Sequence, residues 1–155
     1  TICHALEVLR WIGVVAGFQL AYLLGSGPAE RLHILTARLV VSLAGLTAVE
    51  SLFLGRAASR ITGYAPSAYQ RQSGMNNLAL ALTALMVWML GWGPLAEAAV
   101  LGVLLLFLFL SACNHIVAGL HEAERNPRTW LRPALTAALI AFALPLLIRA
   151  VLSGR

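Results

Sequence analysis

Apolar residues run along the chain in five long blocks, each closed by a short cluster of Gly, Pro, Arg or Asn. A helix needs about 20 mostly apolar residues to cross a bilayer. The blocks at residues 5–24, 32–54, 74–92, 95–120 and 133–152 meet that requirement. Gly25-Ser26-Gly27-Pro28 breaks the first and Gly55-Arg56 ends the second. Gly91-Trp92-Gly93-Pro94 is a tight turn, so the third and fourth helices are expected to form an antiparallel hairpin. Pro133 suits the first turn of the fifth helix. Strands are excluded, because the blocks are too long and do not alternate. The expected fold class is all-α: an integral membrane helical bundle of five transmembrane helices, with four as the fallback, forming one domain over residues 1–155. No small-x-small cleavage site follows the first block, so it is expected to persist as a helix.

Composition strengthens this reading. Of 155 residues, 60% are hydrophobic and 11% charged, against about 25% charged in a soluble domain, and the mean hydropathy is +0.83. A soluble enzyme, a disordered tail and a disulfide scaffold are thereby excluded. The net charge of +5 would suggest nucleic acid in a soluble protein, but the basic residues are scattered singly with no basic helix face. Nucleic acid is therefore not an expected partner. Cys3 and Cys113 lie in different segments and give neither a metal cluster nor a disulfide framework. The longer connections, 55–73 and 121–132, collect Arg56, Arg60, Arg71, Arg125, Arg128 and Arg132, while the opposite side has Arg31, Arg149 and Arg155. This bias puts the N-terminus in the cytoplasm and the C-terminus outside.

Ionisable groups inside spanning helices are costly and need an explanation. The topology sorts them into two layers. Towards the outer side lie Arg38, Glu97 and Arg149, read as a structural ion pair of Glu97 with Arg38 or Arg149. Towards the cytoplasmic side, Glu50, Asn77, Asn114 and His115 converge on one level from three helices. Gln70 and Gln72 reach in from the connection, Asn76 opens the third helix, and Glu7 and Arg10 come from the first. Ser111, four residues before His115, shares its helix face. One reading is a hydrogen-bonded packing network in which Glu50 accepts from His115 or Arg10. The other is a small polar pocket open to the cytoplasm, with Glu50 and His115 as an acid/base or proton-relay pair.

No cofactor and no metal site is required by the sequence. Two-histidine haem ligation lacks a partner at the depth of His115, because His4 and His121 are at one edge and His33 at the other. A pigment or haem held by His115 alone rests on a weak signal. Gly13 and Gly17 form a G-x-x-x-G, and Ala134, Ala137, Ala138, Ala141 and Ala143 add small residues on the last helix. Both permit close backbone contact, within the bundle or with a partner chain. Trp11, Tyr22, Trp92 and Trp130 fall near the expected interfaces.

The stretches Tyr69-Gln70-Arg71-Gln72-Ser73-Gly74-Met75-Asn76-Asn77-Leu78 and Ala112-Cys113-Asn114-His115-Ile116 are followed by Asn126-Pro127 and a helix with a central Pro145. Over about residues 35–152 they resemble a family of small multi-pass bacterial membrane proteins with no assigned function. The resemblance implies a bacterial inner-membrane location and singles out Gln70, Asn77 and His115. Gln72 stands where that family is expected to have a carboxylate and Asn114 where it has Gly. A proton-handling role resting on that carboxylate would here be lost, or rerouted to Glu50.

The first functional expectation is a non-catalytic structural or accessory component of a membrane assembly. Its partners would be the lipid bilayer and other membrane subunits or further copies of the chain. The alternative is a carrier or binding protein for a small amphipathic ligand (lipid, quinone, pigment) or a proton, using the cytoplasmic-side pocket. An enzyme built on Glu50 and His115 lacks an accompanying nucleophile or metal set.

Overall fold

A computed structural model describes residues 2–54, 68–121 and 127–153. Helix α1 (Ile2–Leu24) ends at Gly25, whose N–H donates to the Ala21 carbonyl at 3.0 Å. The chain reverses through Ser26 and Gly27, and Pro28 opens α2 (Pro28–Val40) at a position where no backbone N–H is needed. A π-helical turn, Val41–Gly45, joins α2 to α3 (Leu46–Phe53), with the Leu46 N–H reaching back five residues to the Val41 carbonyl. Together these three elements make one span. Helix α4 (Ala68–Leu90) leads through the Gly91–Gly93 turn into α5 (Pro94–His121), and α6 (Pro127–Ser153) completes the described chain. Gly91 and Gly93 have φ of 62° and 91°, a region that a side chain disfavours, and this lets the hairpin turn in three residues.

Five of these helical stretches are long and apolar enough to cross a membrane: Ile2–Leu24, Pro28–Phe53, Gln70–Leu90, Pro94–Val117 and Pro133–Ser153. No strand occurs among the described residues. Two starts differ from expectation by six residues. Helix α4 begins at Ala68 instead of residue 74, and α6 at Pro127 instead of residue 133. Hydropathy marks where a helix enters lipid, whereas the helix itself winds on through polar residues beyond that level. Pro133 is consequently an interior residue of α6, not a first-turn one. It and Pro145 each leave a carbonyl four residues back without its helical donor. The tight turns at 25–27 and 91–93 define one end of the bundle, the turn end. Helices α1, α4 and α6 begin at the other, the loop end. Arg56, Arg60, Arg125 and Arg155, which carry part of the orientation argument, lie outside the described residues.

The second span is the hub. Leu32, Leu35, Leu39 and Val40 are fully enclosed, and α1, α4, α5 and α6 all pack on it. In lipid there is little hydrophobic drive between helices, so close van der Waals fit carries the association. Gly13 and Gly17 of α1 show how. A Cβ on Gly13 would overlap the Ser42 side chain, and one on Gly17 would lie 3.2 Å from Arg38 Cβ. The G-x-x-x-G motif is thus used inside the bundle, against α2 and its π-helical turn. On α6 the buried face is Leu139, Ala143, Leu146 and Ala150, while Ala134, Ala137, Ala138 and Ala141 face outward. Outward faces also hold large apolar residues such as Leu23, Phe53 and Phe142, as a lipid solvent requires.

Candidate functional site

Near the loop end, side chains from all five spans surround a cavity of about 290 Å³. Helix α1 supplies Glu7, Arg10 and Trp11, which share a face through their three- and four-residue spacing. Thr47 and Glu50 come from α3, directly below the π-helical turn, whose Leu43 and Ala44 also form wall. Ser73 and Asn77 of α4 and Ser111 and His115 of α5 stand at i,i+4 spacing, and α6 contributes Thr136 and Leu139. The π-helical turn offsets the register of α3 relative to α2, and such turns recur at functional sites.

Arg10 organises the site. Its Nη1 donates to Glu7 Oε2 at 3.0 Å, and its Nη2 donates to Glu50 Oε2 and, at 3.4 Å, to the Leu46 carbonyl. The Arg10 side chain is only 11% exposed, against 46% for Glu7, so the charge lies inside and one of its carboxylates faces outward. Its Nε is buried and has no acceptor among the described residues. Thr47 Oγ1 donates to the Leu43 carbonyl at 2.6 Å, and Asn77 Nδ2 donates to the Ser73 carbonyl at 2.9 Å. Both side chains thereby bond locally along their own helices. On the described wall two carboxylates thus share one guanidinium.

Of the residues expected at this level, Glu50, Asn77 and His115 are brought together, and Arg10 is the partner that Glu50 takes. Asn114 is not part of the wall. It falls on the exposed face of α5 with Leu110 and Val117, about 100° round the helix from His115. Gln72 is exposed and, with Asn76, lines an adjoining space of about 310 Å³ between α4 and α5 that shares Ser73, Asn77 and Phe107 with the cavity. Gln70 is partly buried at the loop end of α4, outside the cavity wall. Thr47, Ser73 and Thr136 were missed by sequence reasoning. The first two could have been found from their three- and four-residue spacing to Glu50 and Asn77.

The expected ion pair of Glu97 with Arg38 or Arg149 does not form. Glu97, 2% exposed, is paired with His33, and Trp88 stacks on the His33 ring with centroids 6.0 Å apart. His33 follows Pro28 by five residues and Glu97 follows Pro94 by three, so both stand just below the turn end. Arg38 is one turn too deep and donates instead to the Ile34 carbonyl at 2.9 Å. Arg149 lies on the outward face of α6, two turns from Phe142. Depth rules out Arg38, and the outward face rules out Arg149, so level and helix face together identify the pair.

Among the described residues no three His, Cys or carboxylate side chains gather to hold a metal ion, and both cysteines are free thiols. His115 is the one imidazole on the described cavity wall. No curated protein and no solved structure matches the chain. A family profile matches residues 8–153, from the first span to the last, and by it the chain belongs to the family of unknown function DUF6790.

Proposed function

We propose that this membrane protein binds a small amphipathic molecule, without transforming it, by taking its polar part into the cavity around Arg10, Glu50 and His115. The cavity itself is the observation that carries the reading. A purely structural polar cluster is expected to be close-packed, with every donor matched. Here about 290 Å³ is open, and a buried guanidinium N–H faces no acceptor among the described residues. The wall mixes those polar groups with Trp11, Leu104, Phe107 and Leu139, the mixture expected of a ligand site with a few convergent polar groups. Binding is favoured over turnover because the Glu50 carboxylate is already spent on a charge-assisted hydrogen bond to Arg10. The accessory-subunit expectation rested on small size and on small-residue motifs. The G-x-x-x-G is spent internally, and this shifts the balance to the binding reading. The family resemblance supports a bacterial inner membrane, and the arginine bias of the connections supports a cytoplasmic side for the loop end and its cavity.

The test is to purify the protein in mild detergent, extract it with organic solvent, and examine the extract by absorbance and mass spectrometry. One compound is expected near 1:1 stoichiometry, and Glu50→Gln and His115→Ala, with unchanged helical circular dichroism, are expected to lose it. Bulk lipid in membrane proportions, or full retention by both folded variants, would overturn the proposal.

A further inference from the structure

Beside the polar cavity, on the side where α1 and α6 face the lipid, lies a second space of about 500 Å³. Its walls are almost wholly apolar: Val14, Val15 and Phe18 from α1, and Leu135, Ala138 and Phe142 from α6. Trp11 and Leu139 form wall in both spaces, so the two adjoin at these side chains. Phe18 and Phe142 pack edge-to-face across the slot with ring centroids 6.2 Å apart. From Trp11 to Tyr22 the slot follows α1 for eleven residues, about 16 Å at 1.5 Å per residue. That is close to the ~15 Å depth of one leaflet, half of the ~30 Å hydrocarbon core.

We infer that the ligand is a single-chain amphiphile with an ammonium-bearing head, taken in laterally from the bilayer between α1 and α6. The inference rests on the binding reading above and specifies its ligand. The hydrocarbon chain occupies the slot and the head passes beneath Trp11 to Arg10, Glu50 and Glu7. The cavity lies at the lower limit of ligand pockets, which run from about 300 to 1,000 Å³, so it holds a head but not a backbone carrying two chains. Glu7 and Glu50 together outnumber the guanidinium of Arg10, so the wall complements a cationic group. An acceptor oxygen on the same head completes the bonding of Arg10 Nε.

The probe is a monoacyl phosphatidylethanolamine carrying a diazirine at mid-chain, with the diacyl lipid of the same chain as comparison. Each is added to vesicles containing the purified protein, photolysed, and mapped by peptide mass spectrometry with and without excess unlabelled monoacyl lipid. Labelling of the slot residues on α1 and α6 by the monoacyl probe is expected to be competed away. Labelling of the outward face at Leu106 and Phe109 is expected not to be. Ala138→Trp, which fills the slot from an outward-facing position, is expected to cut the competed labelling about tenfold, a change of about 1.4 kcal/mol in binding. Ala141→Trp, also outward-facing but outside the slot, is expected to leave it unchanged. Equal labelling by both probes, no competition, or full competed labelling in folded Ala138→Trp would overturn the inference. If a compound is still retained in a Glu50- and His115-dependent way, such a failure would fall on the chain placement alone. If nothing is retained, the binding reading falls with it.

Discussion

Replacing His33 by Ala removes the ring that partners Glu97 and leaves a carboxylate that is 2% exposed without that contact. Two limits bracket the effect. Breaking a fully buried ion pair costs about 3–5 kcal/mol, whereas interhelical hydrogen bonds measured within a membrane average ~0.6 and reach ~1.7 kcal/mol. Glu97 lies in the first turn of α5, where the positive end of the helix stabilises a carboxylate by about 0.3–1 kcal/mol with or without His33. The His33 side chain is 39% exposed, so water and headgroups reach the pair and weaken it. Both considerations pull the coupling towards the membrane range, and its buried carboxylate puts it at the top, at about 1–2 kcal/mol. The measurement is a double-mutant cycle of His33→Ala and Glu97→Ala, with unfolding by SDS in mixed micelles followed by circular dichroism. The cycle cancels the lost stacking on Trp88, which His33→Ala removes in either background. A matching cycle with Arg38→Ala is expected to show no coupling. Coupling below about 0.5 kcal/mol for His33, or a larger value for Arg38, would refute the pairing by depth.

Three further outcomes follow from the packing. Gly13→Val is expected to destabilise the bundle by about 1–3 kcal/mol through overlap with Ser42, and Ser42→Gly to restore most of it in the same SDS titration. Gly93→Ala, at φ 91°, is expected to cost about 1–2 kcal/mol. Gly27→Ala, which meets nothing within 4 Å, is the control and should stay near wild type. Arg38→Met keeps the stem that packs on Gly17 and removes a charge bonded to a single carbonyl. It is expected to leave the unfolding midpoint unchanged or raised, because a charge in a spanning helix is a net cost, and a marked drop would show that Arg38 has a partner of consequence.

What the sequence disclosed and what it hid follow from the physics of each signal. The five apolar blocks were plain because lipid imposes the same requirement on every spanning residue. The π-helical turn at Val41–Gly45 was invisible, since one inserted residue leaves the apolar character of a block intact. The shared level of Glu50, Asn77 and His115 could be counted from helix ends at a fixed rise per residue. Rotation about the helix axis could not, because in lipid both faces of a helix are apolar. Asn114 and Gln72 therefore read as equals of their neighbours although they face outward. Glu97 was matched by sign to arginines of its own layer, whereas His33, whose level was readable from the same tight turns, was left at the outer edge.

Native mass spectrometry of the intact protein, released from detergent under gentle activation, tests the central claim most directly. The account predicts one discrete adduct of constant mass at 1:1 on the wild-type chain, absent from Glu50→Gln. The bare polypeptide mass alone, or an unselective ladder of lipids identical in both proteins, would contradict it.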